Sequence, residues 1–345
     1  MSALEPPTAA SPESQLTAPG GASRRRNSVL KWATRSLIRA VATLIGVSIV
    51  IFIVLRLLPG NAIEASLGTS AGLLNAAQRR SLDHFYGIGQ PLPTQFWNWA
   101  DGILHGNLGI SSQSGRSVVS LIGSALPVTL ELAIVAMIIG LILGLTAGIA
   151  AGARPGGIGD WLGQGFALFG LGIPNFVIGS ALVTILAVVF HYFPASENYA
   201  SLTSNPGLNL QQIVFPALTL GIGVGAAMMR TTRGAMLDVS RMAYVRSARG
   251  KGLAGRTVVI RHILRNALIP IVTMSGIQFG YLLGGTVVVE QIFGLPGLGR
   301  LLLNAFQEQD YATAQGAILI FAAGFVIVNI LTDAAYALID PRVRS

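Results

Sequence analysis

The chain has 345 residues, 52% of them hydrophobic and only 11% charged, and its mean hydropathy is +0.64. Soluble globular proteins carry about a quarter charged residues, so this composition excludes an ordinary soluble enzyme and points to an integral membrane protein. The net charge of +9 does not read as a nucleic-acid surface, because the arginines cluster at the ends of apolar segments rather than forming an aromatic-interleaved basic surface. With no cysteine, disulfides, thiolate metal sites and cysteine nucleophiles are excluded, and His84, His105, His191 and His262 lack metal-ligand spacing.

The N-terminal stretch is rich in Pro, Ser and Ala without periodicity, and together with Arg24–Arg26 it predicts a disordered basic cytoplasmic tail over 1–30. A six-span membrane domain is expected over 31–345. Its apolar segments fall near 37–58, 125–152, 161–190, 211–229, 266–289 and 314–338, each long enough to cross a bilayer as a helix of about 20 residues. The first has an uncharged core from Ala40 to Leu55, longer than a signal-peptide h-region, and reads as a retained anchor. Between the first two spans lies an outer loop, 59–124, in which Phe96, Trp97 and Trp99 suit an interfacial helix. Eighteen of the 23 basic residues fall on the side of the N-terminus, the loop between the second and third spans (Arg154), the 230–265 loop and the C-terminus, which predicts both termini in the cytoplasm.

Glycines recur every four residues at Gly140, Gly144, Gly148 and Gly152, and again at Gly276, Gly280 and Gly284. Each series makes a smooth helix face against which another helix can approach closely. Ionisable residues within the spans are few, Glu131 and Asp333. That is too thin a set for an ion-coupled pump with connected buried carboxylates, or for a membrane-embedded enzyme with facing polar pairs. Gly250-Lys251-Gly252 lacks both the upstream glycine and the following Ser or Thr of a nucleotide-binding loop, so this chain is not expected to bind ATP.

The loop 230–265 carries more pattern than a connector requires. Met236, Leu237, Tyr244, Val245 and Ala248 recur at helical spacing among arginines, and Gly250 and Gly252 end the run. A second basic helix is expected from Thr257 through Asn266 into the next span. This reads as a short helix offered to a cytoplasmic partner, its apolar side chains meeting a groove.

The stretch Tyr244-Val245-Arg246-Ser247-Ala248-Arg249-Gly250-Lys251-Gly252-Leu253, followed by Arg261-His262-Ile263-Leu264-Arg265-Asn266-Ala267-Leu268-Ile269-Pro270, closely resembles the loop that marks permease subunits of binding-protein-dependent ABC importers of the peptide/nickel group. The rest agrees in order: Arg56-Leu57-Leu58-Pro59-Gly60 after the first span, Gln90-Pro91-Leu92-Pro93 before Gly106-Asn107-Leu108-Gly109, Glu290-Gln291-Ile292-Phe293 with Pro296-Gly297-Leu298-Gly299 after the fifth, and Asp340-Pro341-Arg342 at the end. The Q-P-L-P element resembles the B-type rather than the C-type subunit. The sequence departs from the family's usual pattern at Asn61 and Asn107, where Asp is commoner, and at Gly250, where Ala is commoner.

The resemblance implies an all-α integral membrane protein with six transmembrane helices in the type I ABC importer permease fold, with an extended outer loop between the first two. It implies a translocation subunit without chemistry of its own, in the plasma (inner) membrane of a prokaryote. The expected partners are a second, C-type permease subunit, two cytoplasmic ATPase subunits holding ATP and Mg, an extracytoplasmic solute-binding protein and membrane lipid. Asp238, Tyr244, Val245, Arg246, Ala248, Lys251, Gly252, Leu253, Arg265 and Asn266 would form the ATPase-coupling loop. No catalytic, cofactor or metal residue is expected in this chain. The cargo expected is a dipeptide or oligopeptide, with nickel or another small ligand as the alternative.

Overall fold

The structure is a computed structural model that describes residues 21–57, 75, 77, 78, 81, 90–192 and 199–339, with side chains over 34–57, 75, 77, 78, 81, 90–192 and 199–335. Residues 1–20 of the expected tail, most of the outer loop before Gln90 including Asn61, and Asp340-Pro341-Arg342 lie outside the described residues. In chain order the helices are α1 (Gly21–Leu57), α2 (Leu92–Leu104), α3 (Val118–Ala153), α4 (Ile158–Gly172), α5 (Asn175–Phe190), α6 (Pro206–Ser240), α7 (Ala243–Gly250), α8 (Gly255–Phe293), α9 (Leu298–Gln307) and α10 (Tyr311–Ile339). Among the described residues five helices are long and apolar enough to cross a membrane, or six where the bent pair α4 and α5 is counted as one span.

Three differences from the sequence reading bear on the site. First, α1 begins at Gly21, so 21–30 is helical rather than part of a disordered tail. Second, α6 continues to Ser240, and the first part of the expected 230–265 loop is therefore helix. Third, the segment 161–190 is two helices bent by 96° around Ile173 and Pro174. Pro174 cannot donate a backbone hydrogen bond to continue α4, and it serves instead as N-cap of α5.

The core is built on α3 and α6, which run parallel. Gly140, Gly144, Gly148 and Gly152 face Val224, Met228, Thr232 and Met236 in register, and a methyl group on any of these glycines would overlap its neighbour. On another side of α6, Gly163 receives the Met229 methyl and Gly170 the Ala226 side chain, so α4 packs equally closely. α8 closes the core with Leu282, Leu283, Val289 and Phe293. The second glycine series divides: Gly276 meets Thr332 and Gly280 meets Phe325 of α10, while Gly284 faces open space.

α1 is peripheral, with Leu37, Ile38, Val41, Ile45 and Val50 exposed, while Ile51 and Leu55 are buried against Ala305, Tyr311 and Ala314. The expected aromatic helix is α2. Its Phe96 and Trp99 pack on Phe52 of α1, with ring centroids 5.3 and 6.0 Å away, and Trp97 stays exposed. Arg56 lies over the Phe52 ring at 5.1 Å and donates to Gln95 at 2.9 Å, pinning α2 to the end of α1.

Candidate functional site

α7 forms as an isolated two-turn helix because Arg241 and Met242 end α6 and Gly252 ends α7. Gly252 takes φ +74°, a left-handed conformation glycine adopts without strain, and the N–H groups of Lys251, Gly252 and Leu253 close back on Ser247, Arg249 and Ala248. Two contacts fix it to the body. Val245 and Ala248 are buried in the main core with Met236, Val239, Val258 and Ile263. The Tyr244 hydroxyl donates to the His262 carbonyl at 3.3 Å and accepts from Asn266 at 2.8 Å, while Asn266 also donates to His262 at 2.9 Å.

The sequence-predicted coupling residues therefore split. Tyr244, Val245, Ala248 and Asn266 form the joint between α7 and α8, and Val245, fully buried, faces the protein's own core rather than a groove on a partner. This corrects the reading of the apolar stripe as outward-facing, because its buried members are consumed in docking α7. The free surface of α7 is basic and small: Arg246, Ser247, Arg249, Gly250 and Lys251, with Leu253 and the edge of Tyr244. Asp238 and Arg265 are exposed, and their side chains make no hydrogen bond or ion pair among the described residues. Val258–Leu264, following α7, is wound as π-helix, a local widening frequent at functional sites.

A second polar joint lies beside this surface and was missed from sequence. The Arg233 guanidinium makes a bidentate pair with Asp160, at 2.6 and 2.9 Å, and Asp160 also accepts from the Gly156 N–H and from Gln164, each at 2.9 Å. The turn between α3 and α4 is thus tied to the part of α6 that leads into α7.

At the opposite end, Glu290 is fully buried. It accepts from the Thr129 hydroxyl at 2.7 Å and the Arg300 N–H at 3.0 Å, and Thr129 in turn accepts from the Leu298 N–H at 2.7 Å. The carboxylate so caps the start of α9 and holds the E-Q-I-F-G-L-P-G-L-G turn against α3. Gly297 and Gly299 are required there because a Cβ on either would overlap the Glu290 carboxylate. Asp310 caps α10 through the Thr313 N–H and hydroxyl, and accepts from Ser111 at 2.6 Å. These two carboxylates sit at helix ends, outside the runs that apolar periodicity selects. The one available signal was a carboxylate shortly before a glycine-rich helix start.

Of the two intramembrane ionisable residues singled out from sequence, Glu131 accepts from the Tyr199 hydroxyl at 2.8 Å. Burial, followed by the Glu131 carboxylate beside it, pushes the Tyr199 hydroxyl well above its usual range, so it stays a donor. Asn209 donates to Tyr199 and to the Ala200 carbonyl, each at 3.0 Å. Asp333 pairs with Arg39 at 3.3 Å in an exposed contact between α10 and α1. Asn107 accepts from the Gly109 N–H at 2.9 Å, a turn that Asp would make equally well. No group of three or more His, Cys, Asp or Glu side chains suited to a metal ion occurs among the described residues.

Residues 140–345 match the family described as binding-protein-dependent transport system inner membrane component, and 29–133 match that family's N-terminal region. The chain is 37% identical over 316 residues to the glutathione transport system permease protein GsiC of Pectobacterium atrosepticum, covering 92% of this chain and 99% of the relative. It is 35% identical over 310 residues to the probable peptide ABC transporter permease protein y4tP of Sinorhizobium fredii, covering 90% and 98%. The fold is similar to that of the MetNI methionine ABC transporter in an inward-facing conformation, with TM-score 0.51 and 17% identity over 64% of this chain and 96% of that one.

Proposed function

The chain belongs to the family of binding-protein-dependent transport system inner membrane components, and from that premise we propose that its cargo is a peptide, moved by alternating access under the drive of separate ATPase subunits. The names of its relatives, a glutathione and a peptide permease, support that cargo class. In this reading two cytoplasmic ATPases carry the ATP and Mg, a second permease completes the path, and a solute-binding protein delivers cargo from outside. Both termini and α7 face the cytoplasm, as the distribution of basic residues favours.

The observation that carries the mechanism is the way α7 is held. It is fastened to α8 through Tyr244 and Asn266 and to α6 through the buried Val245, while Arg246, Arg249, Gly250 and Lys251 stay free. An ATPase gripping that free surface would move α7 and α8 together, since the joint is made of short hydrogen bonds and buried contacts. A bundle with two packings then turns outward when nucleotide binding favours one of them, and returns on hydrolysis.

The test is uptake into proteoliposomes holding the complete transporter and its binding protein, with labelled glutathione, trialanine and nickel offered separately. Uptake of a peptide that requires both ATP and binding protein, and survives a proton ionophore, is the expected result. Uptake of nickel alone, or uptake abolished by the ionophore and indifferent to ATP, would overturn the reading.

A further inference from the structure

The break in the third span has a consequence for the path. Free backbone groups at a helix break are tolerated at membrane depth only against protein or a water-filled cavity. The bend around Ile173 and Pro174 opens onto a cleft of about 280 Å³, walled by Leu220, Gly223 and Val224 of α6 and by Gln278, Tyr281 and Gly285 of α8. Those wall residues fall at the middle of the fourth and fifth apolar segments, so the cleft lies near the centre of the membrane. Three polar side chains line it: Asn175, Gln278 and Tyr281. None of them makes a side-chain hydrogen bond with another described residue. Gly223 leaves the space that the Asn175 amide occupies, since a Cβ there would approach Asn175 Oδ1 to 2.9 Å.

Polar side chains in an apolar setting must be bonded or hydrated. We propose that this cleft is a cargo-contacting station on the translocation path, at which Asn175, Gln278 and Tyr281 hydrogen-bond the backbone amides of a passing peptide. Asn and Gln each present a donor and an acceptor, which matches the C=O and N–H of a peptide unit whatever its side chains. No Asp, Glu, Lys, Arg or His lines the cleft, so contact is with the group all peptides share rather than with a cargo charge. Its volume lies just under the range of about 300–1,000 Å³ typical of small-molecule sites, as suits one wall of a path whose other wall is the second permease. This inference rests on the peptide reading above.

The absence of cysteine makes the test direct. Gln278→Cys and Ile138→Cys, the latter on the exposed apolar surface of α3 and away from the cleft, are reconstituted in the complete transporter and exposed to a charged, membrane-impermeant maleimide. Labelling of Gln278→Cys, slowed by trialanine, with none at Ile138→Cys, is expected. Equal labelling at both positions, or none at Gln278→Cys because the side chain is sealed against the second permease, overturns the proposal. In parallel, Asn175→Ala and Gln278→Ala are expected to raise the KM for trialanine uptake roughly two- to tenfold for each lost hydrogen bond, with Gln278→Asn falling between parent and alanine. An unchanged KM in both alanine variants also overturns it. Failure of the peptide reading itself shows separately, as a parent transporter that imports neither trialanine nor glutathione before any substitution is made.

Discussion

Asp160 and Arg233 lie 73 positions apart in sequence yet share two hydrogen bonds, with the carboxylate almost wholly buried and the guanidinium about a quarter exposed. Removing one partner of such a pair leaves a charge uncompensated, a loss of about 3–5 kcal/mol when the site is buried. Asp160→Ala is therefore expected to lower the melting temperature of the detergent-purified protein markedly. Arg233→Lys, which keeps the charge but not the planar fork, is expected to fall between it and the parent. Thr129 gives a second case. Thr129→Val would strip a partner from both Glu290 and the Leu298 N–H, at about 1–3 kcal/mol for each unsatisfied group, and thermal unfolding of the purified protein would show the loss. Neither arrangement was legible in the sequence. Asp160, Glu290 and Asp310 lie just outside the apolar segments, and one chain alone does not reveal which distant hydroxyl or guanidinium they meet. Glu131 and Asp333, sited within apolar runs, were visible for that reason, although their partners Tyr199 and Arg39 were not.

At the scale of elements, the glycine repeat from Gly140 to Gly152 was readable as a close-packing face, because spacing by four puts residues on one side of a helix. Its partner α6 was not readable, since Val224, Met228, Thr232 and Met236 carry no signal beyond the same spacing. Gly144→Leu is expected to prevent stable packing, because its side chain would meet Met228 and the Gly225 carbonyl, and the variant should aggregate on size-exclusion chromatography. Gly284→Ala, facing open space, should elute and melt like the parent. The third span shows the opposite limit of periodicity. Residues on both sides of Pro174 are apolar, so hydropathy merged α4 and α5 although Gly172-Ile173-Pro174 carried a breaker signal. For α7 the helix and its glycine ending were legible, but the direction of its apolar face was not. Spacing puts Val245 and Ala248 on one side without telling whether that side meets the chain itself or a partner.

Across the whole molecule, the helices, the outer aromatic helix and the basic face could be read from composition and charge, and the family resemblance supplied the architecture. Ala248 and Gly252 belong to the expected coupling loop, but the structure makes substitution at either position ambiguous as a test of coupling. Ala248 is buried in the joint, and Gly252 holds a positive φ that side chains resist, so either change disturbs the protein itself. Gly250 is the position that separates the two effects. It lies on the free surface of α7 with negative φ and open space around its Cβ position, so a large side chain fits this chain and obstructs only what covers it. The most direct measurement is therefore ATP-driven, binding-protein-dependent peptide uptake by the complete reconstituted transporter carrying Gly250→Trp, alongside the melting temperature of the purified permease. An unchanged melting temperature with uptake lost is the result the account requires, whereas uptake equal to the parent's would show that no partner grips α7 and that the coupling site lies elsewhere.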